Sequence, residues 1–164
     1  LVIVTADGTV VDTWSSYVKL RWPLQRVGPT DVHGITRRHL KDAPLLGDTL
    51  DELGRRLDGS IFTAHNAAFD AAFLARAARR RPADDRLRCG LTPLLCTLRM
   101  SRRLDPLREQ SHRLADVCAR YDVALDRPHD ALGDATATAE VLPHLLAAHG
   151  ITDASQLAPF YVSL

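Results

Sequence analysis

The chain has 164 residues, 46% of them apolar and 25% charged, with a formal net charge of +1. That length allows one domain with a real core. The charge balance excludes a dominant basic footprint, so polyanion binding has to come from a local patch or from metal ions.

No apolar run reaches the roughly 18 residues needed to span a bilayer, and Leu1-Val2-Ile3-Val4 is too short, and lacks the basic flank, to be a signal-peptide core. The cysteines Cys89, Cys96 and Cys118 are odd in number and lack zinc-ligand spacing. They read as reduced thiols of a cytoplasmic protein.

In chain order, Leu1 to Thr5 reads as a buried strand and Ala6-Asp7-Gly8 as a hairpin turn. Residues Thr9 to Leu20, rich in Val, Thr, Trp and Tyr, read as a second, long strand. Pro23, Gly28 and Pro29 make Arg21 to Asp31 a loop. Val32-His33-Gly34-Ile35-Thr36 leads into a short helix that ends near Pro44. Leu46, Leu50, Leu53 and Leu57 are spaced four, three and four apart, which predicts an amphipathic helix stopped by Asp58-Gly59.

Ser60 to Ala64 reads as a strand, and Asn66, a good N-cap residue, opens a helix to about Arg80 with Phe69, Phe73 and Ala77 on one stripe. Arg79 to Arg88 is a charged connection. Leu91 to Cys96 reads as a short strand, Thr97 to Leu104 as a helix, and Ser111 to Tyr121 as a helix burying Leu114, Val117, Cys118 and Tyr121. Arg127-Pro128-His129-Asp130 is a turn. Gly133 to His149 is helical, with Pro143 predicting a kink or break, and the tail from Thr152 reads as a last short helix. A hairpin followed by alternating helices and strands predicts an α/β domain with a mixed sheet.

Two carboxylates stand out. Asp70 follows His65 by five residues at a strand-to-helix junction, and Asp134 follows His129 by five residues at the start of the last long helix. Singly, each has an ordinary meaning, since an acidic residue at a helix start complements the dipole or caps free N–H groups. Together they suit Mg²⁺ or Mn²⁺, which prefer carboxylate oxygens and keep waters and substrate phosphates as other ligands. Two such ions can clamp a phosphodiester, and a histidine on a turn, as His129 is, can take the proton from an attacking water near neutral pH.

"HNAAFD" at 65 to 70, "HDALGD" at 129 to 134 and "VHGIT" at 32 to 36 resemble the motifs of the DEDDh, DnaQ-like family of 3′-to-5′ exonucleases, which includes the proofreading epsilon subunits of bacterial DNA polymerase III. Order and spacing match over nearly the whole chain. The resemblance implies a ribonuclease H-like mixed sheet flanked by helices and a single exonuclease domain over residues 1–164. It implies that Asp70 and Asp134 are metal ligands, that His129 is the general base, and that Val32, His33, Asn66 and Phe69 line the pocket for the terminal nucleotide. The implied reaction is metal-dependent hydrolysis at a single-stranded 3′ end, DNA before RNA, releasing nucleoside 5′-monophosphates. A DNA polymerase is the implied partner.

The family also carries an Asp-x-Glu pair on a central first strand, and no such pair is present here. Asp12-Thr13 is followed by Trp14 where glutamate is required, and Asp51-Glu52 lies within a helix, so neither substitutes. The expectation is a domain whose N-terminal central strand, with its two carboxylates, precedes Leu1. A chain limited to these residues is expected to hold metal poorly and to turn over negligibly. The alternative is an exonuclease-fold binding module without catalysis. A phosphohydrolase built on His129-Asp130 would need further histidines, and His112, His144 and His149 have no matching signature. Arg99, Arg102, Arg103, Arg108 and Arg113 cluster around the Ser111 helix; a solvated helical face is the ordinary meaning of such a run, with nucleic-acid guidance as the other.

Overall fold

A computed structural model describes residues 1–22, 24–79, 87, 90–125 and 130–163, with the side chain of residue 32 excepted. Its strands form two sheets. The first is a hairpin of β1 (Val2–Val4) and β2 (Val10–Thr13), paired antiparallel with Ile3 opposite Asp12. Asp7 and Gly8 make its turn. The Asp7 carboxylate accepts from the Thr5 hydroxyl and the Thr9 N–H, and Gly8 takes a φ of +90°. The long second strand expected from Thr9 to Leu20 is only four residues. Beyond it the Trp14 N–H donates to the Leu1 carbonyl at 3.0 Å.

The second sheet has the order β3 (Phe62–Ala64), β4 (Leu94–Cys96), β5 (Tyr161–Val162). β3 and β4 run parallel with Ala64 opposite Cys96, and β5 returns antiparallel to β4. The sheet is therefore mixed, as expected, though the sequence does not announce β5. Two residues of tail carry too short a pattern to signal a strand. Among the described residues no strand joins the two sheets.

Helices cover both faces of β4. Alternation along the strand sends Leu95 to one side and Leu94 and Cys96 to the other. Leu95 packs with Val117 and Cys118 of α6 (Leu114–Arg120) and with Val141 and Leu145 of α7 (Ala131–Ala148). Leu94 packs with Leu50 and Leu57 of α3 (Leu46–Leu57) and Ala67 and Ala71 of α4 (Ala67–Ala78). Each leucine so buried contributes about 1.5–3 kcal/mol relative to exposure. α3 has the bounds its leucine spacing predicts. Two four-residue helices, α1 (Thr30–His33) and α2 (Arg37–Leu40), precede it, and α5 (Thr97–Arg103) follows β4 directly.

Three local readings gain detail. α7 runs through Pro143 without a break and begins at Ala131, because Asp130 caps it by accepting the Gly133 N–H at 3.0 Å. Asn66 occupies the N-cap of α4 but in the left-handed region, φ +76°, with no side-chain cap bond. The Phe69–Phe73 stripe of α4 faces outward, 59% and 64% exposed, while Ala67 and Ala71 form the buried face. Alanine on that face lets the helix lie close to β4, which larger residues would prevent. The C-terminal segment forms a 3₁₀ helix, Ala154–Phe160. No helix among the described residues is long and apolar enough to cross a membrane.

Candidate functional site

The parallel strands β3 and β4 end side by side at Ala64 and Cys96, and the next residues, His65 and Thr97, begin the segments that leave the sheet. The crevice beyond the carboxyl ends of parallel strands is where open α/β sheets bind ligands. His65 is half-buried there. Its Nε2 is 2.9 Å from the His112 carbonyl, an acceptor only, so Nε2 carries the proton and donates. Its Nδ1 then accepts from the Thr97 hydroxyl at 3.1 Å. Burial holds the imidazole below its ordinary pKa, opposed by the bond to the His112 carbonyl and aided by the Arg102 charge. Both nitrogens are engaged, so His65 fastens the crevice and does not act as a base.

Asp70 lies one turn into α4. Partial desolvation raises its carboxyl above the ordinary carboxylate pKa, against the lowering effect of its own backbone N–H. The residue as a whole is exposed. Asp134 lies in the first turn of α7, half-buried. Its charge, after burial and Glu140, helps to raise the Cys118 thiol. Capping of α7 falls to Asp130 and not to Asp134, and Asp70 is past the cap of α4. Among the described residues neither carboxylate has an ion-pair partner or a side-chain donor.

Two other acidic residues, Asp12 and Asp105, are engaged elsewhere. Asp12 pairs with Arg56, which also pairs with Glu52 and lies over the Trp14 ring, so it ties β2 to α3. Asp105 accepts from the Gln110 N–H at 2.9 Å, the Glu109 N–H at 3.2 Å and His112 Nε2 at 3.1 Å. The Gln110 bond leads the effects that hold its carboxyl below the usual range.

Of the remaining expected site residues, His33 ends α1 half-buried, with Nδ1 accepting the Ile35 N–H at 3.0 Å. Val32 lies in α1. Asn66 and Phe69 sit on the exposed side of α4, where Phe69 packs on Phe73 with ring centroids 5.0 Å apart. His129, expected as the base, lies outside the described residues, as do Cys89 and most of the charged connection from Arg79 to Arg88. The histidines a phosphohydrolase would have needed are otherwise engaged: His112 with Ser101 and Asp105, His144 stacked on Tyr121, and His149 donating to the Met100 carbonyl.

Among the described residues no group of three or more His, Cys, Asp or Glu could hold a metal ion. Asp70 and Asp134 have carboxylate oxygens of the kind a hard dication takes, and two carboxylates would not fix two dications. The described residues therefore fall short of a complete cation site.

Sequence reasoning missed the wall of this crevice. Ser101 accepts from Arg120 at 2.8 Å and lies 2.9 Å from His112 Nδ1, and with Asp105 it orders the segment from 104 to 113. Scattered polar residues in a loop carry no periodic signal, and only the fold brings them together.

An exonuclease family model, RNase T, matches residues 2–142. A PolC-type DNA polymerase III of Streptococcus thermophilus is 32% identical over 160 residues, which is 95% of this chain and 10% of the polymerase. The PolC-type DNA polymerase III of Bacillus subtilis is 30% identical over 139 residues, 85% of this chain and 9% of the polymerase. The chain thus spans about a tenth of the length of these relatives. Among solved structures, exonuclease X in complex with 5′-overhanging duplex DNA superposes with a TM-score of 0.68 at 25% identity, over 97% of this chain and 86% of that one. A 3′-exonuclease recognising the histone mRNA stem-loop has the same fold, with a TM-score of 0.71 at 15% identity over 99% and 78%.

Proposed function

The chain belongs to the RNase T exonuclease family, and on that premise we propose that it is an exonuclease domain, spanning residues 1–164, that hydrolyses the terminal phosphodiester at a single-stranded 3′ end. DNA is the first substrate and RNA the second. The observation that carries this reading is the pair Asp70 and Asp134, two carboxylates with no ion-pair partner among the described residues, while Asp12 and Asp105 are engaged elsewhere.

In the proposed reaction a water oxygen attacks the terminal phosphorus, and His129 takes the proton that this water loses. The bond from phosphorus to the 3′ oxygen breaks. The departing nucleotide keeps its 5′-phosphate, and the 3′ oxygen of the shortened strand takes a proton from solvent to become a hydroxyl. Phe69, exposed on α4, offers a face on which the terminal base can stack. Val32, His33 and Asn66 are proposed as further neighbours of that nucleotide.

Mg²⁺ or Mn²⁺ is the proposed cofactor of the whole site, with Asp70 and Asp134 as two of its ligands. The likeness to PolC-type polymerases supports work beside a DNA polymerase as a proofreader. Buried, unpaired Cys96 and Cys118 suit a reducing cytoplasm.

The shortfall of metal ligands among the described residues favours one second reading, a binding module without turnover. Product analysis separates the two. An exonuclease releases nucleoside 5′-monophosphates from a 3′-labelled single strand in Mg²⁺ or Mn²⁺, and the binding module releases nothing. Release from the 5′ end, or of 3′-monophosphates, would contradict the proposed direction and bond.

A further inference from the structure

Five arginines cluster in sequence between positions 99 and 113, and the structure divides them. Arg99 donates to the Tyr161 carbonyl at 3.1 Å, and Arg103 lies over the Phe160 ring at 5.4 Å. Both are used in holding the C-terminal segment. Arg102, Arg108 and Arg113 instead line one open cavity of about 490 Å³, with His65, His112 and Leu98 as the rest of its wall. Among the described residues none of these three guanidinium groups has a hydrogen-bond or ion-pair partner.

A solvated helical face does not explain this arrangement. Arg102 comes from the last turn of α5, Arg113 from the start of α6, and Arg108 from the loop between them. The loop is fixed by the three bonds to Asp105 and by the bond between His65 and the His112 carbonyl. Arg108 takes a φ of +58°, a region that Asn66 and Asp122 tolerate by residue type and arginine does not favour. The fold thus turns three free guanidinium groups toward one crevice. The cavity's charge comes from these groups, because His65 uses both ring nitrogens internally.

We propose that this arginine-lined cavity binds a backbone phosphate of the single-stranded nucleic acid, holding the strand next to the α4 start that carries Asp70. Guanidinium forks match phosphate oxygens and stay charged at every relevant pH. With a net charge of only +1, the chain has no general positive field, so a local site of this kind supplies the affinity. The assignment rests on the exonuclease reading for the identity of its strand, but its geometry stands independently of catalysis.

The test is binding of short fluorescent oligothymidylate and oligouridylate to the full-length protein in EDTA, over a range of salt. The triple variant Arg102→Gln/Arg108→Gln/Arg113→Gln is compared with Arg38→Gln/Arg55→Gln/Arg76→Gln, which removes equal charge elsewhere. The pocket variant should raise Kd about fivefold or more at ~0.1 M salt and flatten the log–log salt slope by about 0.7 for each phosphate that is no longer neutralised. The control should change less on both counts. Arg108→Gly removes one guanidinium while suiting the positive φ, and it should show the same direction of change with no fall in Tm.

Equal changes in the pocket and control variants, or none, would overturn the site. Hydrolysis of a 3′-labelled strand by the wild type alongside an unchanged slope in the pocket variant would sink the pocket and leave the exonuclease. A pocket-dependent slope without hydrolysis would do the reverse. Absence of both binding and hydrolysis in the wild type would end both.

Discussion

His65 Nδ1 lies 3.1 Å from the Thr97 hydroxyl, and this single bond joins the two segments that leave the parallel strands β3 and β4. Its partner bond to the His112 carbonyl reaches a third segment 47 residues away in sequence. One imidazole therefore sets the spacing of the α4 start, the α5 start and the arginine-bearing loop. Its place in the family motif invites a chemical role, and the geometry gives it a positioning one.

Removing that imidazole should loosen all three segments. His65→Ala is expected to cost about 1–3 kcal/mol by urea denaturation, since it abandons two hydrogen bonds and leaves the His112 carbonyl without its donor. A change within ~0.5 kcal/mol would mean that the crevice is held by packing alone.

The same residue predicts a pH dependence. Burial holds the folded imidazole below the ordinary value of 6.5, so below that pH the unfolded chain binds the extra proton first. The contribution of His65 to stability is full above pH 6.5 and is lost as pH falls through that value toward the lower folded one. His65→Gln should flatten this part of the stability–pH curve, measured by urea midpoints. An unchanged curve would assign the proton uptake to another group.

Asp70 predicts the opposite sign. Desolvation raises its folded pKa above the ordinary 3.8, so the folded state holds its proton longer, and the ionised carboxylate opposes folding as pH rises past that folded value. Asp70→Asn should therefore raise Tm at pH 7 while abolishing turnover, the trade expected of a carboxylate kept for function. A lowered Tm would show that Asp70 has a structural partner.

Asp12 separates a structural acid from a catalytic one. Its pairing with Arg56 predicts that Asp12→Asn lowers stability by less than about 1 kcal/mol and leaves turnover unchanged. A large loss of turnover would make it a ligand.

Gly8 and Pro143 test the packing of the hairpin on α7. A Cβ at Gly8 would lie 2.9 Å from Pro143 Cγ, on a backbone already at φ +90°. Gly8→Ala should destabilise by about 1–3 kcal/mol, from overpacking and from the left-handed backbone together. The variant Gly8→Ala/Pro143→Ala should recover the packing part if the close approach is the cause.

What the sequence discloses here follows the physics of each signal. The leucines of α3 recur at the helical period over twelve residues, and the helix has the bounds they predict. The turn at Asp7-Gly8 is equally local. β5 is two residues long and forms against the edge that β4 offers, which no pattern in the tail announces. The roles proposed for Asp70 and Asp134 rest on motif spacing. The division of five arginines into two structural and three free is not legible in the sequence, since it depends on where Tyr161, Phe160 and His65 come to lie.

The shared role proposed for Asp70 and Asp134 is in one reaction at a 3′ end. It is tested most directly by the rate at which the full-length protein and its Asp70→Asn, Asp134→Asn and doubly substituted forms release nucleoside 5′-monophosphate from a 3′-labelled single strand in Mg²⁺. A loss of about a hundredfold or more is expected in each single variant, with little further loss in the double, because groups acting as one unit are not additive. Single variants that turn over at the wild-type rate would contradict it.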